Sequence, residues 1–201
     1  DDFAYLVKKL GLNYTVRSVH NSKSAKECYC SSIELARFLK LVEQSLLLPS
    51  KEKKVPQIIC KSPNHVLREF IKALFDGEGH IMKNRRQIDI SSSSRELIYD
   101  LKLLLLRFGI LSQVSMKMKC ATNSVGKIKR PYYELRISGK DTIKYILKIG
   151  FNHQDKNLKA QELLNFSKGF NTNLDLIPNL TQLLKDLRKD CGLRQEDINI
   201  P

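Results

Sequence analysis

The feature that most constrains the fold is an internal repeat with a period of about 100 residues. The first copy reads as a helix ending at Gly11, an extended stretch at 13–20, a polar loop at 21–26, a strand at 27–31 and a helix at 32–41. The second copy reads as a helix at 94–108 stopped by Gly109, a strand at 111–119, a loop at 120–129, a strand at 131–138 and a helix at 140–149. This period is too long for a solenoid, so the pattern indicates a duplicated α/β unit with pseudo-two-fold symmetry.

The two copies also match in register. Residues 11–16 align with 109–114, and residues 27–31 align with 134–138. In this alignment Cys28 and Cys30 take the places of Leu135 and Ile137, which form the inward face of an alternating strand. We therefore expect both cysteines to lie on an inward strand face, and we expect the cysteines of the chain to be packing residues or free thiols rather than metal ligands.

The remaining cysteines support a reducing compartment. Five cysteines cannot form a complete disulfide framework, and none belongs to a C-x-x-C pair. The four histidines are scattered and show no zinc-ligand spacing. No apolar run approaches the roughly 18 residues of a membrane span. We expect an intracellular protein, in the cytoplasm or nucleoid, with no membrane partner.

The second copy has additional elements in front of it. Ser62-Pro63 begins a helix at 66–75, which residues 76–79 end, and strands at 80–84 and 86–92 follow around a turn near Asn84-Arg85. The complete unit thus reads αββαββα. The first unit shows only the final αββα, so we expect its leading helix and hairpin before Asp1 and regard the chain as a piece of a longer protein. The expected domains are residues 1–54, 55–165 and 166–201.

The last of these segments has no counterpart in the repeat. A loop at 168–176 precedes an amphipathic helix at 179–189 that Gly192 ends, and residues 193–198 could begin another helix. Two interpretations stay open, namely the start of a small helical DNA-binding module and an accessory packing helix.

The segment Ile71-Lys-Ala-Leu-Phe-Asp-Gly-Glu-Gly79 is the strongest chemical signal. Ala73 and Gly77 are four residues apart, so one helix face would let another backbone approach closely. Gly77 and Gly79 flank Glu78 and let the chain turn as the helix ends. A carboxylate fixed there calls for a compensating cation, and Mg²⁺ suits carboxylate and phosphate oxygens. The alternative is that residues 76–79 form only a polar helix stop.

This nine-residue segment resembles the motif of the LAGLIDADG homing endonucleases. The wider context, Val55-Pro56, Ser62-Pro63 and residues 70–81, resembles their intein-borne, DOD-type branch, and the resemblance covers about residues 1–165. It implies that two such helices pack at a pseudo-two-fold axis and that each presents an acid to metal ions and the scissile phosphate. The partner helix would come from upstream sequence or from another chain.

The resemblance also implies roles for individual residues. Glu78 would be the catalytic acid and, with Gly77, would hold Mg²⁺ or Mn²⁺, whereas Asp76 would mainly make local hydrogen bonds at the helix end. The family places a basic residue near each catalytic centre. Lys156 matches one such position, and Lys51 or Lys53 matches the other.

The positive charge is concentrated beside this motif. The chain carries a formal charge of +14, and residues 81–140 hold 13 Lys and Arg against 4 Asp and Glu. On the strands, apolar positions such as Val114, Met116 and Met118 alternate with polar ones that would face outward. We expect DNA contacts from Arg17, Tyr29, Lys83, Arg85, Arg86, Gln87, Asp89, Ser115, Lys117, Lys119, Lys129, Arg130, Tyr132, Glu134 and Arg136. An ordinary solvated sheet face is the alternative.

Together these observations predict an α+β fold: duplicated αββαββα LAGLIDADG-type units with antiparallel DNA-binding sheets, the first unit incomplete at its N-terminus, plus a small C-terminal helical segment. The expected function is sequence-specific hydrolysis of double-stranded DNA with a divalent metal. The alternative function is a non-cleaving DNA- or RNA-binding protein on the same scaffold, such as a degenerate endonuclease, a transcription factor or a splicing factor.

Overall fold

The computed structural model describes residues 2–18, 26–120, 128–165 and 180–194. Its helices are α1 (Asp2–Lys9), α2 (Ile33–Val42), α3 (Gln57–Cys60), α4 (Asn64–Glu78), α5 (Arg95–Leu106), α6 (Lys140–Lys148), α7 (Gln154–Asn165) and α8 (Leu180–Asp190). Its strands are β1 (Thr15–Ser18), β2 (Lys26–Tyr29), β3 (Gly79–Met82), β4 (Gln87–Ser92), β5 (Gln113–Lys119) and β6 (Arg130–Ser138). Short 3₁₀ turns occupy Gln44–Leu47 and Lys83–Arg85. The α+β class is confirmed.

The larger unit is built on a four-stranded antiparallel sheet in the order β3-β4-β6-β5. Ile88 and Ile90 on β4 lie opposite Ile137 and Leu135 on β6, and all four are buried. Helices α4, α5 and α6 supply the other half of this core, which includes Phe75. One face of the sheet is therefore covered by helices. The polar residues that alternate with the buried ones on the same strands point to the opposite face.

Local sequence signals fix the ends of the predicted elements. The Ser94 hydroxyl accepts a hydrogen bond from the backbone N–H of Leu97 and so caps α5, while Ser32 does the same for α2 through Leu35. Gly109, with φ of +68°, follows the end of α5 as expected for a glycine stop. The helix, strand, strand, helix order of both copies is thus present.

The smaller sheet pairs β1 with β2, with Thr15 opposite Tyr29. Here the predicted burial is wrong, because Cys28 is exposed and Cys30 only half-buried, although Leu135 and Ile137 in the aligned positions are buried. In the larger unit β6 has a neighbour on each side, whereas within the described residues β2 pairs with β1 alone. Cys28, Cys30, Cys60 and Cys191 are free thiols.

Two further predictions differ from the structure. Helix α4 continues to Glu78 rather than ending before Asp76, because the N–H of Gly79 still reaches the Phe75 carbonyl. Met116 and Met118 were expected to face the core, but they are 58% and 55% exposed. They lie on β5, an outer strand of the sheet.

The C-terminal segment contains the predicted helix as α8, and Gly192 follows it with φ of +66°. The predicted loop at 168–176 and most of the second helix at 193–198 lie outside the described residues, as do most of the loops at 21–26 and 120–129. None of the described helices has the length and apolar content that a membrane-spanning helix requires.

Candidate nucleic-acid interface and acidic centre

Helix α4 carries Glu78 to the start of β3. Leu67, Ile71 and Phe75 are fully buried and repeat at four-residue spacing, so they fix the rotation of the helix on the sheet. Ala73, Gly77 and Glu78 are exposed. The predicted small-residue positions are therefore accessible on α4, next to the exposed carboxylate.

The two glycines beside Glu78 have different physical roles. A Cβ on Gly79 would lie 2.5 Å from the Phe75 carbonyl oxygen and 3.0 Å from the Phe75 Cα, so β3 can leave the helix here only without a side chain. A Cβ on Gly77 would meet nothing within 4 Å. Gly79 thus serves this chain's own packing, whereas Gly77 leaves space on the helix surface.

Asp76 joins the end of α4 to the start of α7. Its Oδ2 accepts the backbone N–H of Asn152 at 3.0 Å, and its Oδ1 accepts that of His153 at 3.1 Å. These N–H groups lie just before the first turn of α7, where donors lack intrahelical partners and negative charge is favoured. The expected local role of Asp76 is replaced by contacts that reach 77 positions along the chain.

Lys156 completes this junction from the α7 side. Its Nζ donates to the carbonyl oxygens of Phe75 at 2.9 Å and Asp76 at 2.6 Å. A cation is favourable at the C-terminal end of a helix. Burial lowers the pKa of Lys156, while the charges of Asp76 and Glu78 act in the opposite direction. Glu78 and Lys156, two of the predicted site residues, thus both lie at the end of α4.

Tyr145 is a residue of this junction that the sequence did not single out. Its ring is fully buried between Phe75, at 5.0 Å between centroids, and Phe151, at 5.4 Å. Among the described residues its buried hydroxyl has no hydrogen-bond partner, and burial together with the charge of Asp76 raises its pKa well above the ordinary value. Only the helical apolar pattern of α6 could have indicated Tyr145.

The open face of the large sheet presents a set of polar side chains. It includes His80 on β3, Gln87, Asp89 and Ser91 on β4, Glu134, Arg136 and Ser138 on β6, and Gln113, Ser115 and Lys117 on β5. Three of them, Gln87, Asp89 and Glu134, are at most 6% exposed. The face therefore has a buried polar layer, which the expectation of an outward, solvated surface did not include.

The pKa values of the two buried acids of this face are shifted in opposite directions. Burial and the neighbouring charge of Glu134 raise the pKa of Asp89, although His80, Arg136 and Lys117 act against them. Burial alone would raise the pKa of Glu134, but the hydrogen bond from Lys117 and the nearby positive charges outweigh it and lower the pKa. Glu134 is therefore the acid that the surrounding cations neutralise.

Basic side chains lie over this layer. Lys117 forms an ion pair with Glu134, and Arg136 Nη2 lies 3.2 Å from the same oxygen, Glu134 Oε2. Lys119 Nζ donates to Ser91 Oγ at 2.9 Å and lies 5.8 Å from the centre of the Tyr132 ring. These contacts bring five of the predicted DNA-binding residues together with Ser91.

Other predicted contacts lie away from this centre. Arg17 stacks over Tyr29 in the small sheet, with 5.1 Å between the guanidinium carbon and the ring centre. Lys83 and Arg85 are exposed on the 3₁₀ turn after β3, where Lys83 pairs with Glu162 of α7. Arg86 follows with φ of 48° and is half-buried, while Ser115 is exposed on β5.

Lys51 lies beside the end of the sheet at which β6 begins. A cavity of about 460 Å³ there is lined by Pro49, Ser50, Lys51, Ser93, Arg130, Pro131 and Tyr132. The strand register places the start of β3, the end of β4 and the start of β6 at the same end of the sheet. Lys51 and Arg130, together with the exposed Lys129, therefore lie at the Glu78 end. Lys53 uses its carbonyl to accept the Ser94 hydroxyl.

Residues 65–150 match a family model described as the LAGLIDADG-like domain. Among characterised proteins, the chain is 33% identical to a probable translation initiation factor IF-2 of Methanocaldococcus jannaschii over 159 residues, which are 76% of this chain and 13% of that protein. It is also 33% identical, over 147 residues, to the glutamine–fructose-6-phosphate aminotransferase of the same organism, covering 70% of this chain and 12% of that protein. The chain thus spans about an eighth of the length of these relatives.

The fold is similar to that of solved homing endonuclease structures. Mesophilic variants of I-DmoI superpose with a TM-score of 0.50 at 20% identity, covering 74% of this chain and 69% of that chain. A further I-DmoI variant, crystallised with its nicked target DNA in the presence of Mn, gives the same TM-score, identity and coverage. At this identity the similarity concerns the fold, a mixed helix and antiparallel-sheet architecture.

Proposed function

We propose that this chain, whose residues 65–150 form a LAGLIDADG-like domain, belongs to a metal-dependent, sequence-specific endonuclease of double-stranded DNA. The observation that carries the proposal is the position of Glu78. Its carboxylate is exposed at the end of α4, close enough to Lys156 to act on its pKa, and at one end of a polar sheet face with basic side chains.

Duplex DNA would lie along the open face of the large sheet. Antiparallel strands fit the major groove, and the side chains on this face are of the types that contact phosphates and base edges. Arg130 and Lys129 would bind the DNA backbone at the Glu78 end of the sheet. Arg85 would bind it at the opposite end of β3. In this arrangement a phosphodiester group of the DNA would lie next to Glu78.

The residues at the end of α4 offer the type of ligand atoms that a hard divalent cation prefers. Glu78 offers an exposed carboxylate and Gly77 a backbone carbonyl in the last helical turn, and both are oxygen donors that suit Mg²⁺ or Mn²⁺. Within the described ranges no three His, Cys, Asp or Glu residues form a metal-binding group, so the remaining ligands would come from DNA and from a second helix. When bound, such an ion supplies charge stabilisation at the phosphate and activates water.

Two lysines would act beside this acid. Lys156 is held against α4 by the carbonyls of Phe75 and Asp76, so its charge is fixed near Glu78 and can stabilise negative charge that develops on the phosphate. Lys51 lies with Arg130 at the same end of the sheet and would serve the second centre or hold the neighbouring backbone.

A second acidic helix would complete the site. Ala73 and Gly77 are exposed one turn apart on α4, and a Cβ on Gly77 would meet open space, so another helix backbone can approach there. We propose that this helix comes from upstream sequence or from another chain and brings the second catalytic acid.

The relatives support an intein-borne origin. A translation factor, an aminotransferase and a replication factor C small subunit share no activity, yet each matches this chain at 33% identity over about a tenth of its length. A segment common to unrelated hosts behaves as an inserted element whose function is separate from theirs. We propose that this chain is the endonuclease part of such an insert.

The second candidate is a DNA- or RNA-binding protein that does not cleave, and the observation that favours it is the single acidic helix end. The described residues contain one LAGLIDADG-type helix, α4, and one exposed acid at its end. A protein with this sheet and without a second acid would bind nucleic acid through the same face.

The experiment that separates the candidates starts with a library of duplexes that contain a randomised 30-base-pair region. Duplexes retained by the protein are enriched, sequenced and incubated with Mg²⁺ or with EDTA. Double-strand breaks at a fixed position in Mg²⁺ alone support the endonuclease. Enrichment without cleavage supports the non-cleaving protein. Failure to enrich any duplex contradicts the endonuclease and the DNA-binding form of the second candidate, which leaves RNA as the nucleic acid to test.

A further inference from the structure

The buried carboxylate of Glu134 holds two cations of the open sheet face in fixed positions. Only 5% of Glu134 is exposed, and its Oε2 is shared by Arg136 Nη2, at 3.2 Å, and Lys117 Nζ. Arg136 is itself 30% exposed at its side chain. The acid is thus beneath the surface, while the Arg136 side chain is still partly exposed.

Arg136 lies in the middle of the face rather than at its rim. On β6 it is directly opposite Asp89 of β4 on one side and Gln113 of β5 on the other. Glu134 is the next position of this face on β6, opposite Ser115, and Lys117 follows Ser115 on β5, opposite Tyr132. We name Asp89, Lys117, Glu134 and Arg136 the central cluster.

The charge of the central cluster argues against a phosphate contact. It holds two acids and two cations, so it is nearly balanced within a chain whose formal charge is +14. A phosphate that reached Arg136 would also approach the carboxylates of Glu134 and Asp89, whereas the edge of a base carries no net charge. Phosphates would find the exposed cations of Lys129 and Arg130, which lie outside the cluster.

Resting on the proposed function, we infer that Arg136 reads a guanine in the major groove of the bound duplex and that Glu134 is its positioning residue. With Nη2 already donating once to Glu134, Nη1 and the second N–H of Nη2 form a fork that matches guanine O6 and N7. Because Glu134 fixes the plane of this fork, the preference for guanine depends on an acid that the base does not touch.

The test uses duplexes with a randomised region, enriched in parallel by the wild-type protein and three variants. The wild type selects a guanine at a fixed position of its site. Arg136→Lys keeps the charge but loses the fork, so the preference at that position falls about ten-fold or more. Glu134→Gln weakens the preference at the same position by several-fold, because a neutral amide holds the guanidinium less firmly. Lys119→Met, on the other side of Tyr132, lowers the affinity for every sequence and leaves the preference unchanged.

Thermal unfolding of each variant checks that it folds, and Arg136→Lys, which leaves both acids in place, provides the test if Glu134→Gln does not fold. The inference is overturned if folded Glu134→Gln keeps the wild-type guanine preference, or if Arg136→Lys alters a different position or none. If the wild type enriches no duplex at all, it is the proposed function that fails. A failure of the inference about Arg136 can therefore be distinguished from a failure of the proposed function.

Discussion

The Nζ of Lys156 lies 2.6 Å from the carbonyl oxygen of Asp76, while the Asp76 carboxylate accepts two backbone N–H groups just before α7. The end of α4 and the start of α7 are therefore joined in both directions, each helix supplying a charge that suits the terminus of the other. Glu78 is two residues beyond Asp76, so this junction determines where the acid can lie.

Replacing Asp76 with Ala should loosen the junction. Two backbone donors lose a charged acceptor, and we expect the free energy of unfolding to fall by about 1 to 3 kcal/mol in a urea titration. Asp155→Ala, which removes an exposed acid from the first turn of α7, is the control and should cost less than about 1 kcal/mol. Equal losses in the two variants would show that Asp76 acts only through the α7 dipole.

The glycines on either side of Glu78 should respond in opposite directions. Gly79→Ala places a Cβ 2.5 Å from the Phe75 carbonyl, and we expect it to lower stability by about 1 to 3 kcal/mol. Gly77→Ala meets open space and should raise stability by up to about 1 kcal/mol through helix propensity. Chemical denaturation measures both. A destabilised Gly77→Ala would mean that this surface is already occupied within the chain.

Asp89 should make the protein less stable near neutral pH than a neutral isostere does. Burial and Glu134 raise its pKa in the folded state, so the stability linked to its proton is present below the unfolded value of 3.8 and is lost as the pH rises through the folded pKa. Asp89→Asn should therefore unfold at higher urea than the wild type at pH 7, with the difference shrinking toward pH 3. A variant that is less stable than the wild type at pH 7 would contradict this sign.

Lys119 should contribute to DNA affinity without contributing to sequence preference. It is anchored by Ser91 and the Tyr132 ring at the Glu78 end of the sheet, where we place a DNA backbone. Lys119→Met should reduce the slope of log K against log salt by about 0.9 for any duplex. Lys185→Met, an exposed lysine of α8, should leave that slope unchanged. The prediction fails if both variants show the same slope as the wild type.

The order of helices and strands was predictable because residues close in the sequence determine where each element begins and ends. Ser94 and Ser32 cap helices, and Gly109 ends one, so each boundary depends on residues within a few positions of it. The repeat then identified α4 and β3 as the elements that precede the second copy. The end of α4 at Glu78 was not predicted, because the two glycines of the motif indicated an earlier stop, whereas the Gly79 N–H still bonds the Phe75 carbonyl. The contact of Lys156 with the same turn comes from 80 positions away.

The residue types of the candidate site were predictable from the sequence, but the burial of its side chains was not. Alternation assigned Glu134 and Asp89 correctly to the polar face, but it cannot show which side chains on that face lie beneath others. Their burial depends on pairing between strands separated by a long connection. The exposed Met116 shows the reverse case, an inward position on an outer strand.

Glu78 is the residue on which the proposed chemistry rests, and its replacement tests that chemistry most directly. The measurement is the rate of double-strand cleavage, in Mg²⁺, of a duplex selected by the wild-type protein. Glu78→Gln should bind this duplex but cleave it at least 100-fold more slowly, because the proposed metal ion would lose a charged ligand. Glu69→Gln removes an exposed acid from the same helix and should cleave at the wild-type rate. Equal cleavage by the wild type and Glu78→Gln would contradict the assignment of Glu78 as the catalytic acid.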